Sequence, residues 1–288
     1  MSTAAAPARE LPVITIPPAT PHPHTHTIIF LHGRGDNIKS FSRAVRKWYS
    51  SRGTTLFDTF PTLRWVFPQA PLRQVASTAH LSRPHIFPQW FDVWTPQDFS
   101  EREEVQIEGL RESVPLIRDM IAREAAALGG RWDRVILAGI SMGGATSVHT
   151  LLNLDVPAEG GGRLAALLGF CSRCPFAGRS LQGMRDVLAI PGSPPAGDNA
   201  VLRRTPVLLE HSADDPLVLI DNGRRLRDTL RGFGAQVEWR EYMNGGHWFQ
   251  EPDGIDDAIE FLHKFVFRAS AGEQSRAAAA DPDAMDLS

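Results

Sequence analysis

Val135-Ile136-Leu137-Ala138-Gly139-Ile140-Ser141-Met142-Gly143-Gly144-Ala145 is the stretch from which the rest of the chain is read. Residues 135–138 are a short, wholly apolar run rich in β-branched side chains, which predicts a strand buried on both faces, and residues 145–152 resume at helical spacing. Between them Gly139-Ile140-Ser141-Met142-Gly143 reads as G-x-S-x-G in a strand-turn-helix setting. Such a turn lifts a serine hydroxyl clear of the sheet, and the glycines let strand and helix backbones approach closely. Ser141 then stands at a helix N-terminus, where the peptide N–H of Met142 points toward negative charge developing beside the hydroxyl. The plainer alternative is a glycine-rich turn with an idle serine, because short motifs recur by accident.

The surrounding chain argues for a sizeable core. Of its 288 residues, 42% are hydrophobic and 22% charged, ordinary values for a globular protein. A formal charge of −3 gives no electrostatic reason to expect a nucleic acid or an anionic membrane as partner. No apolar run approaches the roughly 18 residues of a membrane-crossing helix, and the N-terminus lacks a basic region followed by a long apolar one. A cytoplasmic protein without a transmembrane segment is therefore expected. Its two cysteines, Cys171 and Cys174, have no second pair with which to complete a zinc cage, and they read as reduced thiols just beyond a buried strand.

Strand-like and helix-like segments alternate along the chain. Residues 27–31, 63–67, 164–170, 206–210 and 236–242 read as strands; 38–50, 101–128, 219–233 and 255–266 read as helices. Pro115 is expected to kink or divide the second of these helices, and Gly129-Gly130 to end it. Residues 69–100 read as a long irregular segment with an apolar, aromatic part around Trp90-Phe91, which either packs as a flap or lines a groove. Residues 175–204 read as an irregular excursion with one short helix. The spaced histidines His22, His24 and His26 read as a solvated lead-in to the first strand. The expected organisation is a disordered extension over residues 1–21 with a short extended piece at 11–16, one domain over 22–270, and a disordered tail over 271–288. The alternation implies a mostly parallel sheet with helices on both faces and a ligand site outside the carboxyl ends of its strands.

A serine on such a turn is a weak nucleophile unless a histidine takes its proton and an acid orients that histidine. Of ten histidines, only His247 and His263 follow the candidate acids near residue 215. His263 falls inside a helix, whereas His247 follows a strand in the turn Asn244-Gly245-Gly246. Asp214 and Asp215 directly follow a strand; either one serves as the acid, the other as a cap for the next helix. The glycine loop His32-Gly33-Arg34-Gly35-Asp36 also follows a strand, so the Arg34 amide is a candidate second donor to an oxyanion.

With Leu31-His32-Gly33-Arg34-Gly35-Asp36, Phe67-Pro68-Gln69-Ala70-Pro71, Trp90-Phe91-Asp92, Gly139 to Gly144, His211 with Asp215-Pro216-Leu217-Val218, and Gly246-His247, the chain resembles the phospholipase/carboxylesterase family of α/β hydrolases, which includes the acyl-protein thioesterases. That resemblance implies an α/β-hydrolase fold and a cofactor-free serine hydrolase. The substrate is then an ester or thioester in a small molecule, a lipid or an S-acylated protein. It implies Asp215, rather than Asp214, as the acid beside Ser141 and His247, with oxyanion donors at Arg34 and Met142. It further implies an acyl-binding surface near Trp90, with Phe91 and Leu217 as neighbouring contacts. The chain departs from the family pattern at Met142, where Gln is usual, at Ser212, where Gly is usual, and in longer segments at 72–89 and 175–204. A small-molecule carboxylesterase or lysophospholipase, and a non-catalytic binding module on the same scaffold, are the competing expectations.

Overall fold

The computed structural model describes residues 10–267. Its strands are β1 (Val13–Ile16), β2 (His26–Leu31), β3 (Leu63–Pro68), β4 (Leu72–Gln74), β5 (Ile86–Pro88), β6 (Val135–Ile140), β7 (Ala166–Phe170), β8 (Val207–Ser212) and β9 (Val237–Tyr242). The helices are α1 (Ile38–Val45), α2 (Leu56–Thr59), α3 (Val105–Ala127), α4 (Met142–Leu152), α5 (Leu181–Leu188), α6 (Ala200–Arg204), α7 (Ile220–Gly232) and α8 (Asp253–Leu262). Seven strands form one sheet in the order β1-β3-β2-β6-β7-β8-β9. Every pair from β3 to β9 is parallel, and β1 is antiparallel on the β3 edge.

Residues alternate across the sheet and so feed two cores. On β2, Ile29 and Leu31 join the face covered by α3, α4 and α7, while Ile28 and Phe30 join the face covered by α1, α2 and α8. Strands buried on both faces read as unbroken apolar runs, which is why β2, β6 and β7 were visible in the sequence. This is the mostly parallel α/β architecture expected.

Several boundaries differ from expectation for local reasons. The extended piece expected at 11–16 is β1, paired through Val13↔Pro68 and Ile16↔Trp65, so the folded unit begins before residue 22. Residues 1–9, and the tail expected at 271–288, lie outside the described residues. The first helix stops at Val45 rather than running to Ser50: Lys47 N donates to Ala44 O and Trp48 N to Val45 O, three residues back, which ends the helical pattern, and α2 then starts at Thr55 with a capping box. Pro115 does not divide α3, which runs unbroken with Leu110, Val114, Ile117 and Ile121 against the core; burial of that face offsets the missing backbone hydrogen bond. Residues 69–100 contain the antiparallel hairpin β4–β5, and residues 175–204 contain two helices, α5 and α6, where one was expected.

Candidate active site

Ser141 follows the central strand β6 with φ 55° and ψ −121°, a conformation that costs on the order of 1–3 kcal/mol outside glycine. Neighbouring structure holds it there. Its N–H donates to Phe170 O at 2.9 Å, and its carbonyl accepts from Ala145 N at 3.0 Å and Ser172 Oγ at 2.9 Å. The flanking glycines are demanded by approach distance: a Cβ at Gly139 would lie 2.4 Å from the Gly143 carbonyl, and one at Gly143 would lie 2.3 Å from Leu31 O. Met142 begins α4, so its N–H is among the first four amides of a helix, which have no intrahelical acceptor.

The loop after β2 packs directly against this turn. A Cβ built at Gly33 would lie 3.5 Å from the Ser141 Cβ. Arg34, next in the chain, is fixed by its own side chain: Nε donates to Gln89 Oε1 at 2.8 Å, and Nη2 lies 3.8 Å from Asp92 Oδ1. Gly35 N donates to Pro88 O at 2.8 Å, tying the loop to β5. Beneath it His32 is buried; its Nδ1–H donates to Gly33 O at 2.7 Å, and its Nε2 accepts from Ala70 N and Gln69 Nε2, each at 3.1 Å. Burial pushes the His32 pKa down, in keeping with this neutral tautomer. The sequence landmarks around His32, Gln69 and Trp90-Phe91-Asp92 are thus one hydrogen-bonded support for the Arg34 backbone. Sequence reasoning missed the roles of Gln69, Gln89 and Asp92; the signal for Gln69 and Asp92 was present only as residues shared with the family, and Gln89 had none.

Across the cavity, Asp215 follows β8 and His247 follows β9. Asp215 Oδ2 accepts from His247 Nδ1 at 2.7 Å, while its Oδ1 accepts from Leu217 N at 2.8 Å and Val218 N at 2.9 Å. Burial acts to raise the Asp215 pKa. Hydrogen bonds from His211, His247 and the Val218 amide outweigh it and hold the carboxyl well below the usual carboxylate range. An ionised Asp215 can only accept, so His247 carries its proton on Nδ1 and leaves Nε2 free to act as a base. Asp214 holds the loop instead: its Oδ1 accepts from Gly246 N at 2.8 Å. Asp215 orients the histidine and holds the Leu217-Val218 turn, but neither aspartate caps the next helix as expected, because α7 begins only after Leu219, which makes no side-chain cap. The histidine missed in sequence is His211, whose buried Nε2 donates to Val218 O at 2.7 Å and lies 3.4 Å from Asp215 Oδ2. His263 lies in the turn after α8, its ring 4.9 Å from that of Phe60.

Ser141, Met142, Arg34, His247 and Leu217 line one cavity of about 310 Å³. Trp90 and Phe91, expected beside the substrate, do not line it. Both are fully buried beneath the Arg34 loop, where Trp90 Nε1 donates to His32 O at 2.9 Å and the Phe91 backbone fills the space left by Gly109. The aromatic wall of the cavity is made by Phe99 and Trp248.

Cys171, Asp215 and His247 offer three atoms within 4.8 Å of one another, a spacing that metal ligands also show. The donor set is unsuited to a cation here. Burial and the nearby Asp215 charge push the Cys171 thiol up, so it stays an S–H, donating to Trp248 O at 3.2 Å. Both Asp215 oxygens and His247 Nδ1 are already engaged with each other or with backbone. Cys174 is likewise buried and pushed up to about 12.

A mostly parallel sheet covered on both faces, with a strained serine after β6, an acid after β8 and a histidine after β9, defines an α/β hydrolase. The chain matches the phospholipase/carboxylesterase family over residues 15–266 and belongs to it, which makes it a hydrolase of the ester and thioester class. Acyl-protein thioesterase 1 of Gibberella zeae is 28% identical over 244 residues, covering 84% of this chain and 91% of that protein. A protein of Oryza sativa described as a probable inactive carboxylesterase is 29% identical over 261 residues, covering 88% of this chain and 90% of its own. Among solved structures, Zea mays acyl-protein thioesterase 2 is similar with a TM-score of 0.64 at 25% identity, covering 88% of this chain and 98% of that one. Among the described residues no helix is long and apolar enough to cross a membrane.

Proposed function

We propose that the chain hydrolyses carboxylic esters or thioesters through an acyl-enzyme, with Ser141 as nucleophile, His247 as general base and Asp215 as its orienting acid. The observation that carries this reading is the 2.7 Å hydrogen bond from His247 Nδ1 to Asp215 Oδ2 at the wall of a cavity that Ser141 also lines. Ser141 Oγ attacks the acyl carbon as its proton passes to His247 Nε2. The resulting oxyanion is held by the Arg34 and Met142 amides, each worth about 2.7–4 kcal/mol in such sites. The tetrahedral species collapses, and the alcohol or thiol leaves with the proton from His247. Water, deprotonated by the same nitrogen, then attacks the acyl-serine and releases the acid.

Relatives named as acyl-protein thioesterases support S-acylated proteins as substrates of this chain. A second reading, a carboxylesterase for small substrates, is favoured by the cavity itself, whose roughly 310 Å³ is at the lower end of ligand-site volumes. Two buried free thiols suit the reducing cytoplasm. The similarity to a probable inactive relative makes an idle scaffold the reading to exclude, and the engaged Asp215–His247 pair argues against it.

Replacing Ser141 with Ala tests the assignment. Turnover of a p-nitrophenyl ester is expected to fall by about 10⁶-fold if the three side chains act as a unit. Esterase activity retained in the folded variant contradicts the mechanism.

A further inference from the structure

Arg173 is a buried charged group in the cavity that the proposed reaction does not use. It follows β7 one residue after Ser172, whose hydroxyl donates to the Ser141 carbonyl, and it lines the same cavity as the reacting serine. It is only 6% exposed, yet no ion pair holds it among the described residues. Burial lowers its pKa to about 10, leaving it fully cationic at neutral pH.

A buried guanidinium outside any close ion pair is costly, and one that is also rigidly aimed is built for something. Nη2 donates to Gln106 Oε1 at 2.8 Å, and the guanidinium lies 4.0 Å from the Phe99 ring centre. Gln106 is itself 1% exposed, and its Nε2 donates to Phe99 O at 3.1 Å, so both members of this clamp are fixed by each other. The clamp spends one N–H of the guanidinium fork and leaves the other donors without a protein acceptor among the described residues. Among the charges nearby, Arg34 is held by Gln89 and Asp92, Asp36 Oδ1 accepts from Asn37 N, and Glu103, whose charge favours the Arg173 cation, has Oε1 engaged by Phe176 N.

Building on the hydrolase reading, we infer that the preferred substrate is an ester or thioester that carries a carboxylate, and that Arg173 binds this carboxylate while the scissile carbonyl lies at Ser141. A desolvated planar cation recognises a carboxylate by a bidentate, charge-assisted pair. The same cation disfavours a long methylene chain, which would leave it buried without a partner. Arg173 is thus a specificity-determining residue.

The test compares matched neutral and anionic esters. One pair places the charge on the acyl part, p-nitrophenyl hemiglutarate against p-nitrophenyl pentanoate. A second places it on the alcohol, the butanoyl ester of 3-hydroxypropanoate against that of propanol. The wild-type kcat/KM is expected to favour the anionic member of at least one pair by about tenfold or more, which also tells which side of the bond carries the carboxylate. Arg173→Met is expected to abolish or reverse that ratio; a purely structural role would lower both members of a pair together. Glutarate is expected to protect wild-type Ser141 from a fluorophosphonate, a readout that does not depend on the variant folding. Ser141-dependent hydrolysis of the neutral esters with no preference in either pair, or a preference that survives in Arg173→Met, overturns this inference and leaves the hydrolase reading standing. Hydrolysis of none of the four esters overturns both.

Discussion

At Asp215, two histidines and two backbone amides converge on one carboxylate, and the electrostatics of the site follow from that convergence. Its folded pKa is depressed below the usual ~3.9. The stability it contributes is therefore present above the unfolded value and lost as pH falls through the folded one. Asp215→Asn is expected to lower kcat by about 10⁴-fold, since the wrong His247 tautomer is then favoured. It should also weaken the dependence of melting temperature on pH below about 4, measured by calorimetry across pH 2–6. Asp214→Asn is expected to cost far less in the same assay, since Asp214 accepts from Gly246 N and not from His247. Trp90→Phe removes the donor to His32 O and leaves a buried carbonyl unpaired, for a destabilisation of about 1–3 kcal/mol by denaturant titration. How much could be read at this scale depended on context. Ser141 and His247 were legible because each stands alone beside a strand end. Trp90 and Phe91 were misjudged because an aromatic run has the same composition whether it lines a cavity or props up a loop. Arg173 was silent because its clamp comes from Phe99 and Gln106, some seventy residues away, and no local pattern marks it.

Among the elements, the turn between β6 and α4 is packed backbone against backbone. A methyl group at Gly139 would meet the Gly143 backbone at 2.4 Å, and backbone cannot swing aside as a flexible side chain can. Gly139→Ala is therefore expected to destabilise by about 3 kcal/mol or more and to abolish activity; a variant with unchanged melting temperature would contradict the geometry. The same scale explains which elements were legible. Strands β2, β6 and β7 are buried on both faces and announce themselves as apolar runs. Strand β1 showed only as a short extended piece outside the domain, because an edge strand with exposed Val13 is specified by the β3 edge it covers rather than by its own pattern. The unbroken α3 likewise reflects tertiary contacts of Leu110 and Val114 that override the local effect of Pro115. The β4–β5 hairpin was hidden because its strands have three residues each, too short for a period to show.

Over the whole molecule, the parallel sheet gathers the ends of β2, β6, β7, β8 and β9 along one edge, and every group of the proposed chemistry comes from the segment that follows one of them. That arrangement was the most legible feature of all, since alternation of strands and helices already implies it. The sheet also buries Glu210 on β8, where burial, reinforced by Asp257 and opposed by Arg240, raises its pKa well above the ordinary value. Its Oε1 has no hydrogen-bond partner among the described residues. A raised folded pKa contributes stability that is present below the unfolded value, ~4.3, and lost as pH rises toward the folded one. Glu210→Gln, which cannot ionise, is expected to gain on wild type by up to about 1.4 kcal/mol per pH unit over that window, seen as melting temperatures that diverge toward alkaline pH. Parallel melting curves would mean that Glu210 is ionised in the fold.

The central claim is that Ser141 is an activated nucleophile, and intact-protein mass spectrometry after reaction with a fluorophosphonate tests it most directly. One adduct per chain is expected, mapping to the peptide that contains Ser141, absent in Ser141→Ala and strongly slowed in His247→Ala. A folded wild-type protein that takes no adduct, or takes one at a residue other than Ser141, contradicts the account.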